Sequence, residues 1–178
     1  MNTILTPQQQ TNLKRAEAIS YIIACGLGVL FHFIYGWSGE QRIIGFFFPV
    51  NESTWEHLKL VFYPITLVSI AEYFFLKPKN SCFSCIKFTS ILIGMLATII
   101  LFYSYSGILG TTIDWVNIVV YFISMAIAYF YSHRQLIKTS PMVCNATLCI
   151  ILFAVIAILF MIFSIYPPDI GLFRVPGK

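Results

Sequence analysis

Five long apolar runs separated by short polar breaks constrain this chain more than any other feature. They occupy roughly 18–36, 53–76, 88–106, 113–132 and 143–166. Each approaches the ~20 residues that a helix needs to cross a hydrocarbon core of about 30 Å. Inside that layer the backbone must satisfy its own hydrogen bonds, so runs of this length fold as helices. An all-α integral membrane bundle of five transmembrane helices is therefore expected. Composition agrees, because 58% of the 178 residues are hydrophobic and only 10% are charged, against about 25% charged in ordinary soluble domains.

The first run could be mistaken for a secretory signal. No small-x-small cleavage site is visible in Tyr35-Gly36-Trp37-Ser38, and more spans follow, so it reads as a retained helix. The expected organisation is a polar cytoplasmic segment over 1–16, a transmembrane domain over 17–166 and an extracytoplasmic tail over 167–178. Between the first two spans, Ile43 to Pro49 is apolar yet too short to cross. It is expected to lie in the interface or dip in as a re-entrant piece.

Orientation follows from basic residues. Lys14 and Arg15 precede span one, Lys77, Lys79 and Lys87 join spans two and three, and Arg134 and Lys138 join spans four and five. The alternate loops hold only Arg42 and, at 107–112, no charge. The positive-inside rule then places the chain in the cell membrane with its N-terminus cytoplasmic and its C-terminus outside. The net charge of +4 thus belongs to helix ends, and no nucleic-acid partner is expected. The sequon Asn145-Ala146-Thr147 falls on the cytoplasmic side and is discounted. No internal repeat is visible, which argues against a transporter built from inverted halves.

Of five cysteines, Cys25, Cys144 and Cys149 sit in apolar helices as small hydrophobes. Cys82 and Cys85 form a single CxxC without the second pair of a zinc site. Packing or reduced thiols is the expected role.

The polar block Asn51-Glu52-Ser53-Thr54-Trp55-Glu56-His57-Leu58-Lys59 interrupts this scaffold. Ser53-x-x-Glu56 fits a capping box, and Glu56 with Lys59 fits an i,i+3 pair, so a well-capped helix start explains part of it. Helical phase suggests more. Glu52, Glu56, Lys59, Tyr63 and Thr66 form one stripe on span two, Tyr21, Cys25, Gly28, His32 and Tyr35 another on span one, and Asp114, Asn117, Tyr121, Ser124 and Tyr131 a third on span four. Polar residues in lipid turn inward, so three stripes are expected to face one polar pocket at the outer leaflet. Glu72 and His133, at the other face, are expected to meet water.

The pocket's donors leave two chemistries open, a metal site or a metal-free carboxylate–histidine site that carries protons or binds a cation or lipid headgroup. His32, His57 and Asp114 are the candidate ligands and Glu56 the candidate general base, with zinc as the fitting ion. Asn51, Glu52, Lys59, Tyr63, Asn117 and Tyr121 would bind the ligand. A lipid headgroup or small ion is the expected partner beside the bilayer itself. A His32–Glu56 proton or cation relay in a transporter or channel is the alternative, and an interaction or signalling surface is a third. After span five, Pro167-Pro168 stops the helix; the apolar residues beyond are expected to form a disordered end anchored at the interface, with a lid folded back over the mouth as the alternative.

The segments FHFIYGWSG at 31–39, FFFPVNESTWEHLKLVFYP ending at Pro64, and the Tyr-Pro-Pro…Leu-Phe tail at 166–173 resemble an uncharacterised family of small bacterial multipass membrane proteins. NES-x-WEHLKL is the specific core of that likeness, which spans nearly the whole chain. It implies a fold and no activity. Where members of that family continue with Asp-Pro and Tyr-Gly, this chain reads Arg174-Val175-Pro176-Gly177. A looser likeness to metal-dependent membrane hydrolases rests on residue types at one membrane face, and is analogy.

Overall fold

The computed structural model describes residues 6–76, 80–138 and 144–176, with the side chain of Leu76 outside that description. Lys77, Lys79 and Gly177 therefore fall outside the described residues. Among the described residues six α-helices follow in order: α1 (Pro7–Trp37), the single turn α2 (Arg42–Gly45), α3 (Thr54–Leu76), α4 (Phe83–Leu109), α5 (Asp114–Leu136) and α6 (Ala146–Ile165). A 3-10 turn, Gly171–Phe173, closes the tail. There is no strand among the described residues. Five of the helices are long and apolar enough to cross a membrane, as the hydrophobic runs require.

Helix α1 begins ahead of the first apolar run. Thr6 caps it by accepting from the Gln9 amide, while the Gln9 side chain accepts from the Thr6 amide, and Pro7 occupies the first turn. This capping box turns most of the supposed polar segment 1–16 into helix. At 1.5 Å per residue the 31-residue α1 is about 46 Å long, so its polar first turns stand clear of a ~30 Å apolar layer. The short α2 fills the place of the expected interfacial segment, with Gly45 buried and Ile43 exposed.

The core lies where α1, α3, α4 and α5 meet. Ala24, Val61, Ile65, Ile91, Met125 and Ala128 are fully buried there. Small residues let these helices approach. A Cβ on Gly94 would meet Ala128 Cβ at 3.0 Å and Val61 Cγ1 at 3.1 Å. Small-xxx-small spacing at Ala24/Gly28 and Ser90/Gly94 thus serves packing within the chain. In contrast, α6 contributes only Phe160 to the buried set.

Gly28 occupies the tightest approach. Pro64 inside α3 has no N–H to give the Leu60 carbonyl. That carbonyl stands 2.9 Å from where a Gly28 Cβ would be, and the Tyr121 hydroxyl is closer still. Gly28→Ala should therefore separate α1 from α3 and α5 at a cost of about 1–3 kcal/mol. A lowered melting temperature in detergent would show it. An unchanged one would mean that the Tyr121 ring swings away freely.

The CxxC cysteines do not behave as isolated thiols. Cys82 pairs with Cys144 and Cys85 with Cys149, so two disulfides join the start of α4 to the start of α6. Only Cys25 is free, buried in the core.

Candidate functional site

The polar block divides into two groups that face different ways. Ser53 Oγ accepts from the Glu56 amide at 3.4 Å, and Asn51 Oδ1 accepts from the Ser53 amide at 2.8 Å. These bonds start α3 at Thr54. Only half of the expected capping box forms, because the Glu56 carboxylate is used elsewhere. Glu56 Oε2 accepts from the Val50 amide at 2.9 Å and from Lys59 Nζ at 2.7 Å. Lys59 Nζ also donates to the carbonyls of Gly45 at 2.8 Å and Phe48 at 3.3 Å, and lies 2.6 Å from Ser164 Oγ. Ser164 Oγ in turn lies 2.9 Å from Glu56 Oε1. Glu56 and Lys59 are 2% and 0% exposed. Their pair is a buried strut that fastens the 45–50 segment and α6 to α3. Tyr63 joins it by donating to the Phe46 carbonyl at 3.2 Å.

The second group faces a cavity. His57 is one position on from Glu56 and projects about 100° away from it. Its Nε2 lies 3.3 Å from Glu52 Oε2, and His32 Nε2 of α1 lies 3.8 Å from Glu52 Oε1. The two imidazole rings are 5.4 Å apart between centroids. One ligand atom from each of His32, Glu52 and His57 lies within 4.8 Å of the others. His57 Nδ1 sits 2.9 Å from the Ser53 carbonyl, which can only accept, so that nitrogen carries the proton. This fixes the tautomer and leaves Nε2 aimed at a carboxylate. A proton between them completes a hydrogen bond, and a metal ion is the other species that this pair of acceptors suits. A backbone carbonyl on the far nitrogen is also the usual support for a metal-binding histidine. Glu52 lies in the loop ahead of α3, and its carboxyl is held below the usual carboxylate range. The His57 hydrogen bond is the main cause, partial burial opposes it, and the charges of His57 and His32 add to it.

The cavity measures about 560 Å³, within the range of small-molecule sites. His32, Glu52 and His57 line it together with Thr54 and Leu60 of α3, Thr98 and Phe102 of α4, and Asp114, Asn117 and Tyr121 of α5. Val175 and Pro176 of the tail line it too. The tail reaches them because Phe173 packs on Trp55 at 4.8 Å and on Phe163 at 5.4 Å. It folds back beside the mouth, as a lid would.

The predicted residues thus separate. His32, His57, Asp114, Glu52, Asn117 and Tyr121 share the cavity. Asp114 is exposed and stands outside the close three-residue group. Asn117 Oδ1 accepts from the Tyr105 hydroxyl, and the Tyr121 hydroxyl donates to the Cys25 carbonyl at 3.2 Å. Asn51 serves the turn. Glu56, Lys59 and Tyr63 turn away from the cavity into the strut, so of the stripe on span two only Glu52 joins the other two. Glu52 moves from general binding residue to the centre of the donor group. Ser164 had no signal in the sequence beyond a lone hydroxyl near the end of an apolar helix.

A family model described as "Family of unknown function (DUF6512)" matches residues 6–177, and the chain belongs to that family. No curated protein and no solved structure matches it.

Proposed function

We propose that this member of a family of unknown function is a multipass membrane protein whose outer cavity binds a divalent transition metal through His32, Glu52 and His57. The carrying observation is that three donor atoms from two histidines and a carboxylate lie within 4.8 Å of one another at the wall of a cavity. Two histidine nitrogens and a carboxylate oxygen are the donor set of open catalytic zinc sites. Ligands around tetrahedral zinc at 2.0–2.1 Å stand roughly 3.3 Å apart, so modest rotamer changes close the group around an ion. A zinc ion there would supply a Lewis acid and an activated water. Asp114 and Asn117 across the cavity are placed to hold a polar headgroup or orient that water, and Glu52 replaces Glu56 as the carboxylate that matters. The reaction class this supports is hydrolysis or modification of a lipid-like headgroup.

The basic residues support an N-terminus in the cytoplasm, which puts the cavity at the outer leaflet. The transport alternative is less well supported. Glu56, its proposed relay partner, is tied to Lys59, and the fully buried Val61, Ile65, Ile91, Met125 and Ala128 fill the middle of the bundle.

Metal analysis of the purified protein after loading with zinc and desalting tests the reading. One ion per chain is expected for wild type and Asp114→Asn, with loss in His57→Ala and Glu52→Gln. Losing a direct ligand should weaken binding by more than the roughly 10–100-fold typical of a lost outer-shell partner. Protons compete for the imidazoles, so the ion should be released as the pH falls below about 6. Wild-type protein that retains no metal at pH 7.5 would remove the metal reading and favour an interaction surface built on the exposed Glu52.

A further inference from the structure

Three buried charged side chains lie at the opposite end of the bundle from the outer cavity. Glu17 of α1, Glu72 of α3 and Lys87 of α4 are 5%, 6% and 1% exposed. Lys87 Nζ is 2.6 Å from Glu17 Oε1 and 2.6 Å from Glu72 Oε2. Sequence position puts Lys87 with the loop lysines and turns Glu72 toward water; both are instead interior. The charges do not balance. Glu56 and Lys59 at the outer end form a neutral pair, but two carboxylates and one ammonium leave this cluster with a net negative charge.

Two independent observations bear on what balances it. Glu72 Oε1 and the Tyr129 hydroxyl are buried with no hydrogen-bond partner, and Glu17 Oε2 has at most the neighbouring Ser132 hydroxyl. Tyr129 and Ser132 are 6% and 0% exposed. Ser132 faces Glu17, and the Tyr129 ring centre lies 5.4 Å from Lys87 Nζ. Buried polar atoms are ordinarily satisfied, so oxygens gathered around an unbalanced charge mark a place where a cation belongs. There is also a way in. An open cavity of about 270 Å³ is lined by Lys14, Glu17, Tyr21, Tyr129 and His133.

We propose that the Glu17–Glu72–Lys87 triad holds one exchangeable proton on its carboxylates, reached from water through this cavity. One O–H bond of hydronium breaks to leave water as one carboxyl O–H forms, and the reverse transfer to water releases the proton by the same route. The remaining groups facing the triad do not replace it. From α1, Lys14 is exposed and screened by water, while Tyr21 and, from α5, Tyr129 are of a type uncharged at neutral pH. Among the described residues lining this cavity, His133 of α5 is a further group able to add positive charge, and the test includes it. A neutral carboxylic acid resolves the charge, because an unpaired charge in such surroundings neutralises before it persists.

Infrared spectroscopy of the protein in lipid at pH 7 counts protonated carboxyl groups through their C=O stretch. Wild type should show one per chain in this cluster, shifting on transfer to D₂O. Glu17→Gln and Glu72→Gln should each remove it, since either leaves one carboxylate facing one ammonium. Lys87→Met should raise the count to two. His133→Gln and His57→Ala should leave it unchanged, which keeps the result separate from the fate of the metal reading. If Lys87→Met fails to fold, the glutamine variants decide alone. The proposal is overturned by absence of the band in wild type, by its survival in both glutamine variants, by its loss in His133→Gln, or by its disappearance when sodium chloride is added.

Discussion

Lys59→Met should destabilise the bundle by about 3–5 kcal/mol, the range for breaking a buried ion pair from one side. Methionine matches the lysine stem in length and keeps the packing, so the loss comes from what the ammonium served. Glu56, 2% exposed, would be left without its counter-ion, with the Val50 amide and Ser164 as its remaining partners. The Gly45 and Phe48 carbonyls and the Ser164 hydroxyl would also lose a donor. Glu56→Leu combined with Lys59→Met removes the stranded carboxylate and should recover part of the loss, since apolar replacements of a buried pair are often tolerated. Recovery should stay incomplete because the two carbonyls remain unsatisfied. Thermal melts in detergent of the single and double variants check both statements. A single variant as stable as wild type would mean that water enters the strut.

The same strut explains what was legible in the sequence and what was not. Hydrophobic runs located five spans because lipid demands continuous apolar surface, and that constraint acts locally. Starts and ends depend on caps. Thr6-Pro7-x-Gln9 is a readable capping box, yet it lies in a segment whose polarity masks it as a tail. The site was harder because phase alone does not say which neighbour a helix face meets. Glu56 and His57 are adjacent, and the first met α6 through Ser164 while the second met α1 through His32. Pairing of α3 with both neighbours is a tertiary fact, with no trace in the composition of either stripe. Lys87 shows the converse error. A lysine near a helix end reads as a topology signal, and only packing against Glu17 and Glu72 reveals it as interior. The CxxC misled likewise, because its partners are 62 and 64 residues away.

Removing both disulfides should have the other large effect, and the two should not act additively. A cross-link over a 62-residue separation restricts the unfolded chain by about 4 kcal/mol in the loop-entropy model. Once one is closed, the second encloses only the short stretches between Cys82 and Cys85 and between Cys144 and Cys149. It then adds roughly 2–3 kcal/mol by the same relation. Single replacements, Cys82→Ser or Cys85→Ser, should therefore lower stability modestly, and the double replacement by more than their sum. Membrane helices persist in detergent, so these figures are upper bounds. The effect should concentrate on α6, which has few buried contacts of its own. Location gives the test a second arm. Helices α1, α4 and α6 start at one end of an alternating bundle, so both disulfides lie at the face where the basic residues gather. If that face is cytoplasmic, the pairs stand in a compartment that keeps thiols reduced. A permeant maleimide should then label four more thiols in intact cells than in oxidised, purified protein, while an impermeant reagent labels none. Disulfides intact in the cell would reverse the orientation and carry the His32–Glu52–His57 cavity to the cytoplasmic face.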